Sequence, residues 1–106
     1  ISMQTDNMGR QSATYADGSS ELVVPYTRFY QLSDVFDPDI KDALMIGGAG
    51  YSYPRDFLIK SSQSRMDVVE IDPKMTDLAR QYFFLTDESR LNIIHQDGRV
   101  FVNIAP

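Results

Sequence analysis

Three short segments of the chain carry residues suited to binding a nucleoside. The glycine-rich segment 47–50 follows an apolar run, Glu70 ends the segment "MDVVE", and Asp97 with Gly98 follows "LNIIHQ". Glycines allow a backbone to approach a ligand closely. A carboxylate can accept hydrogen bonds from both ribose hydroxyls or from an adenine amino group, and a backbone N–H can donate to a ring nitrogen. Together the three segments predict an adenosine-type site.

The spacing of the glycines does not fit a dinucleotide site. Gly48 and Gly50 form G-x-G, but the third glycine of G-x-G-x-x-G would fall at Tyr53, whose bulk would hinder close helix packing. Glu70 lies 20 residues after Gly50, near the roughly 20 expected for a ribose-binding acid. The pattern disfavours NAD and favours a mononucleoside-type ligand such as S-adenosylmethionine.

Each segment also has an interpretation without a ligand. Segment 47–50 alone is as compatible with a tight turn between a strand and a helix. Glu70 could be a solvated or helix-capping acid, and Asp97 could cap the helix that follows it. Because ligands in open α/β sheets bind beyond the carboxyl ends of the strands, three such segments at successive strand ends favour the nucleoside site.

The elements around these residues predict how they come together. Strands are expected at 43–46, 66–71 and 91–95, the first of them apolar throughout, as in a strand buried on both faces. A helix follows each strand, with Ser52 and Asp72 as the expected caps of the first two. The β-α-β-α-β-α order predicts a parallel sheet with right-handed crossovers. The helical residues expected to face the core are Phe57, Leu58, Ile59, Met75, Leu78, Ala79, Tyr82 and Phe83.

The first part of the chain predicts a separate β-rich segment. Turn signals at 6–9 and 17–18, with strands at 11–15 and 22–24, predict one or two hairpins. Pro25 then opens a short helix that ends before Pro38. Its aromatic face, expected to pack in the core, consists of Tyr26, Phe29 and Tyr30. The predicted fold class is α/β: an N-terminal β-hairpin segment with a short helix (residues 1–37), then the first half of a Rossmann-like, methyltransferase-type parallel sheet (residues 38–106).

Composition narrows the classes of function. The chain has 106 residues and a net charge of −5, which argues against nucleic-acid and membrane-surface binding. No apolar run reaches the roughly 18 residues of a membrane span. The absence of cysteine excludes disulfides and zinc–thiolate sites, and it fits a cytoplasmic protein. His95 is the only histidine, so we expect no catalytic triad and no metal, and assign His95 a structural or solvent-facing place.

Four blocks occur in an order that resembles the spermidine/spermine synthase family: "RQSATYADGSSELVVPYTRFYQL", "DALMIGGAGYSYPRDFL", "DVVEIDPKMTDLARQYF" and "ESRLNIIHQDGRVF". The resemblance covers nearly the whole chain and is strongest from Ala43 to Phe101. It implies a Rossmann-like methyltransferase fold, and S-adenosylmethionine or its decarboxylated form as cosubstrate without a metal. A small-molecule amine or methyl acceptor and a homodimer are also implied.

The resemblance assigns roles by position. Gly47 and Gly48 would line the nucleoside pocket, Glu70 would hold the ribose hydroxyls, and Asp97 with Gly98 would contact adenine.

Two more residues come from the N-terminal segment, where the chain also departs from the family. Gln11 would approach the ribose and sulfur, and Tyr26 would lie near the amine substrate. Thr27 follows that tyrosine where the family often has glutamine or histidine. Gly50, part of the predicted cofactor loop, stands where the family normally has an aspartate that contacts the amine end of the aminopropyl donor. The catalytic aspartate is expected beyond Pro106.

Two functions are consistent with these features. The first is a spermidine synthase-like transferase domain that binds S-adenosylmethionine, its decarboxylated form or methylthioadenosine, with aminopropyl or methyl transfer in the parent protein. The alternative is a non-catalytic, family-derived domain that acts in assembly or dimerisation through an exposed sheet edge. The chain starts at Ile1 and stops at Pro106 inside an expected helix. We therefore expect a piece of a longer protein that is inactive alone.

Overall fold

The computed structural model describes residues 1–4, 10–37 and 39–104. It has the α/β architecture expected from the sequence. Strands β1 (Ser2–Gln4) and β2 (Arg10–Ala13) pair as an antiparallel hairpin. Strands β3 (Asp42–Ile46), β4 (Arg65–Val69) and β5 (Leu91–Ile94) form a parallel sheet in the order β3-β4-β5. This confirms a hairpin segment followed by a β-α-β-α-β-α unit. The predicted turn at 6–9 and Pro38 lie outside the described residues.

Helices connect the strands of the parallel sheet. Helices α1 (Pro25–Phe29) and α2 (Ser33–Phe36) flank a 3-10 turn (Tyr30–Leu32) before β3. Helix α3 (Ser52–Lys60) leads to β4, α4 (Pro73–Tyr82) leads to β5, and α5 (Gly98–Ile104) follows β5. No helix among the described residues is long and apolar enough to cross a membrane.

The start of α4 follows the sequence expectation, whereas the start of α3 does not. The Asp72 side chain accepts a hydrogen bond from the N–H of Lys74 at 2.9 Å, with Pro73 in the first turn. Ser52 is the first residue of α3 rather than its cap. The cap position is taken by Tyr51, which has a left-handed backbone at φ 59°. The Ser52 hydroxyl is instead used to hold the hairpin.

The core lies between the parallel sheet and helices α3 and α4. Phe57, Leu58, Ala79 and Phe83 are buried there, as predicted, and they pack with Met66, Val68 and Leu85. The prediction was wrong for three other helical residues, Ile59, Leu78 and Tyr82, which are exposed. Each lies at the outer border of the apolar face of its helix. Leu78 and Tyr82 line a groove beside β1.

Strand β3 is not buried on both faces, contrary to the prediction. Ala43 and Met45 pack towards the core, but Leu44 is 51% exposed and Ile46 is 55% exposed. The strand lies at an edge of the sheet, since β3 pairs only with β4 among the described residues. On its outer face, Gly98 at the start of α5 approaches Ile46.

The N-terminal segment also differs from the prediction. Residues 22–24 form no strand, although Leu22 is buried. The aromatic side chains expected in the core, Tyr26, Phe29 and Tyr30, are exposed, because α1 has only five residues and lies at the surface. Instead, Tyr30 packs edge-on against Tyr26 and Tyr53, with ring centroids 6.3 and 5.1 Å apart.

The hairpin is attached to the first turn of α3 by polar contacts. The Ser52 hydroxyl donates to the carbonyl of Ala13 at 3.1 Å, and it lies 3.1 Å from the hydroxyl of Ser12. Arg55 donates to the carbonyl of Gly18 at 3.0 Å. The hairpin therefore lies directly against the loop that joins β3 to α3.

Candidate functional site

The β3–α3 loop contains three glycines, one explained by its backbone conformation and two by lack of space for a side chain. Gly47 has φ +84°, a backbone conformation that residues with a side chain rarely adopt. A β-carbon there would meet nothing within 4 Å. A β-carbon at Gly48 would lie 2.7 Å from the ring of Tyr51. A β-carbon at Gly50 would lie 2.3 Å from the ring of Phe83 and 2.4 Å from the hydroxyl of Ser12. The absence of side chains at these glycines therefore allows the loop to pack within the chain, and it would also allow a ligand to approach the backbone.

Tyr51 folds back beneath the loop and links it to α4 and β5. Its ring is fully buried, and its hydroxyl lies 2.7 Å from the hydroxyl of Thr76. Burial raises the pKa of Tyr51; the hydrogen bond with Thr76 opposes this rise, and the nearby charge of Glu70 adds to it. The Thr76 hydroxyl also lies 3.0 Å from Nε2 of His95. His95 is exposed, and this contact gives it a partner that the sequence did not reveal.

Replacing Thr76 with valine should lower the free energy of unfolding by about 1–3 kcal/mol, because it leaves the buried Tyr51 hydroxyl without its partner. Urea unfolding followed by circular dichroism measures this change. Thr76→Ser keeps the hydroxyl and should cost clearly less. A valine variant that unfolds at the same urea concentration as the unchanged protein would contradict the linking role of Thr76.

Glu70 joins the ends of strands β3 and β4. Its side chain is buried, with the residue 6% exposed. One carboxylate oxygen accepts from the N–H groups of Gly48 at 2.8 Å and Ala49 at 3.1 Å, and the other accepts from the N–H of Asp72 at 3.1 Å. A carboxylate offers about four lone-pair positions, so these three bonds leave capacity for a ligand hydroxyl.

Asp97 and Gly98 lie at the carboxyl end of the sheet and also have structural roles. The exposed Asp97 side chain accepts from the N–H groups of Arg99 at 2.8 Å and Val100 at 3.4 Å, which caps α5. A β-carbon at Gly98 would lie 2.5 Å from Cγ2 of Ile46. The start of α5 therefore reaches back over the sheet to the end of β3.

Gln11 and Tyr26 are in direct contact. The family resemblance places Gln11 near the ribose and sulfur, and Tyr26 near the amine substrate. The Tyr26 hydroxyl donates to the backbone carbonyl of Gln11. Partial burial raises the pKa of Tyr26, and neighbouring Tyr30 adds to the rise. Tyr26 is thus held by the hairpin beside the β3–α3 loop.

A small cleft of about 60 Å³ separates the hairpin and α1 from that loop. We call it the hydroxyl cleft, because six of its ten described lining residues carry a side-chain hydroxyl. The structure thus brings two predicted cofactor residues, Gly47 and Gly48, next to Tyr26. The cleft is lined by Ser12, Tyr26, Thr27, Tyr30, Met45, Gly47, Gly48, Ala49, Ser52 and Tyr53.

The predicted site residues therefore fall into three groups along one edge of the sheet. Asp97 and Gly98 follow β5, Glu70 follows β4, and Gly47 with Gly48 follows β3 beside the hydroxyl cleft. Gly50 lies apart from them, buried beneath Phe83 and Ser12. Their contacts with a ligand remain predictions. No group of three histidine or acidic residues within 1–4, 10–37 and 39–104 is arranged to hold a metal ion.

The chain is similar to known polyamine aminopropyltransferases. A polyamine aminopropyltransferase of Vibrio vulnificus is 30% identical over 96 residues, which are 90% of the chain and 32% of that protein. No protein-family model matches the chain. The chain spans only about a quarter to a third of the polyamine aminopropyltransferases that it matches.

Solved structures show the same fold. A probable spermidine synthase from Corynebacterium glutamicum has a TM-score of 0.79 at 24% identity, over 92% of the chain and 37% of that structure. Human methyltransferase-like protein 13, solved in complex with SAH, has a TM-score of 0.58 at 30% identity, over 60% of the chain and 29% of that structure.

Proposed function

The chain is a spermidine synthase-like member of the methyltransferase fold class, and on this premise we propose that it forms the nucleoside-binding part of a transferase. The ligand would be S-adenosylmethionine, its decarboxylated form or methylthioadenosine. A homologous structure contains SAH, and this supports an adenosyl ligand. Aminopropyl or methyl transfer would be the activity of the parent protein.

The position of Glu70 carries this proposal. Its carboxylate lies at the carboxyl end of β4, in contact with the loop after β3, where nucleosides bind in open α/β sheets. In that position its remaining lone-pair position can accept a hydrogen bond from a ribose hydroxyl. Asp97 lies one strand further, where an adenine amino group would meet an exposed carboxylate.

The chemistry proposed for the parent protein is a direct displacement at a carbon bound to sulfonium sulfur. The leaving group is a neutral thioether, so the reaction needs positioning of the acceptor and, for an amine, removal of a proton. Within the chain, Glu70 and Asp97 would fix the nucleoside. The residue that removes the proton is expected beyond Pro106.

Calorimetric titration with methylthioadenosine tests the proposal. We expect saturable binding with a Kd below about 1 mM, and at least about tenfold weaker binding after Asp97→Ser. Serine is a good helix cap, so it preserves the start of α5 while removing the carboxylate. The stability of this variant, measured by urea unfolding, should stay close to that of the unchanged protein. An unchanged protein that fails to bind at millimolar ligand would refute the proposal.

A second function is supported by the exposed side of β3. This strand pairs only with β4 among the described residues, and Leu44 and Ile46 leave apolar surface open beside its edge. Such an edge can pair with another chain, so a non-catalytic role in assembly or dimerisation is the alternative proposal. Sedimentation of the protein with and without Leu44→Lys distinguishes a dimer at this edge from a monomer.

A further inference from the structure

The order of the strands assigns the hydroxyl cleft to the 5′ end of the proposed nucleoside. Asp97 after β5 would contact adenine and Glu70 after β4 the ribose, and the glycines after β3 come next along the same edge. The hydroxyl cleft lies directly beyond those glycines. A substituent on the 5′ carbon would therefore point into the hydroxyl cleft.

No charged side chain lines the cleft within the part of the chain that the structure describes. The lining consists there of aromatic and hydroxylic residues, glycine, alanine and methionine. The Tyr26, Thr27 and Ser52 hydroxyls donate to backbone carbonyls of the chain itself. A cation entering the cleft would lose its water without gaining an anionic partner, which is costly.

Position 50 cannot supply such a partner. Gly50 has no left-handed backbone, so its lack of a side chain is a matter of space and not of conformation. Phe83, which is 2% exposed, and Ser12 occupy the volume that a side chain there would need. The buried acid Asp56 on α3 is already paired with Lys60 at 3.0 Å. Neither position adds a carboxylate to the hydroxyl cleft.

We propose that the hydroxyl cleft selects adenosine ligands with an uncharged 5′ thioether and disfavours those whose 5′ chain ends in an ammonium group. This rests on the proposed nucleoside site. It assigns the discrimination to neutral lining residues such as Ser12 and Thr27, which offer a cation no charged partner. An aminopropyl donor would then be a poor ligand of this chain.

Competition among three adenosine thioethers tests the proposal. Methylthioadenosine and 5′-butylthio-5′-deoxyadenosine are uncharged, and 5′-(3-aminopropylthio)-5′-deoxyadenosine has the chain length of the butylthio compound but ends in an ammonium group. We expect each of the two uncharged compounds to bind at least about tenfold more tightly than the aminopropylthio compound.

Thr27→Asp and Thr27→Asn supply a matched pair of variants. The aspartate should improve the affinity for the aminopropylthio compound relative to the butylthio compound by about tenfold, while asparagine leaves the ratio unchanged. Equal or tighter binding of the aminopropylthio compound by the unchanged protein overturns the selectivity while leaving the nucleoside site intact. If methylthioadenosine itself does not bind, the proposed function and this inference fall together.

Discussion

Replacing Gly50 with alanine should lower the free energy of unfolding by about 3 kcal/mol, at the upper end of the usual cost of overpacking. The added methyl group would lie 2.3 Å from the ring of Phe83 and 2.4 Å from the Ser12 hydroxyl, and both residues are buried. The ring cannot simply turn away, because it is part of the core between α4 and the sheet. Urea unfolding measures the change.

Two further variants separate crowding from backbone strain. Gly47→Ala meets no atom within 4 Å, so its cost should come only from the left-handed backbone, at about 1 kcal/mol. Combining Gly50→Ala with Phe83→Leu should recover part of the loss, so the two changes should not be additive. If Gly50→Ala proves no more destabilising than Gly47→Ala, the steric account of position 50 is wrong.

Replacing Glu70 with alanine should be as damaging as the change at Gly50. It would remove the acceptor for the N–H groups of Gly48, Ala49 and Asp72. A buried polar group left without a partner costs about 1–3 kcal/mol. We expect the free energy of unfolding to fall by about 3–5 kcal/mol, since water entering the opened site satisfies some of these groups.

Glu70→Gln is the informative companion variant. Its amide keeps one acceptor oxygen and presents donors on the other side, so it should destabilise the protein less than alanine does. Glu21→Ala, at an exposed acid, controls for the loss of one negative charge. If the alanine variants at 70 and 21 unfold alike, Glu70 does not hold the loop. Addition of methylthioadenosine should stabilise the unchanged protein more than the glutamine variant. A ligand that binds the folded state stabilises it in proportion to its affinity, and the glutamine variant should bind the nucleoside more weakly.

Local sequence signals predicted the order of the elements from β3 to α5 correctly. Asp72 and Pro73 specify the start of α4 because a cap and a first-turn proline act within one turn of helix. The apolar run at 43–46 predicted a strand. It did not predict that one face of the strand is exposed, since an apolar run carries no information about which helices cover it. Ile46 lies on that exposed face.

The sequence predicted that the candidate residues lie at the ends of the strands. It did not predict the contacts that support them. The carboxyl edge brings Glu70 to the glycine loop because parallel strands end together. Nothing local shows that Tyr51 turns beneath Gly48 or that Thr76 bridges to His95. Such contacts join residues far apart in sequence, and only the packed tertiary structure places them together.

The attachment of the hairpin to Ser52 has a consequence for the cooperativity of the fold. The first turn of α3 holds the hairpin through Ala13 and Ser12, some 40 residues away in sequence. The amide hydrogens of β2 and that of Arg55, which donates to the carbonyl of Tyr51, therefore belong to one opening unit and should exchange with solvent together. The glycine loop lies inside this unit, so its geometry persists only while a distant strand remains docked on it.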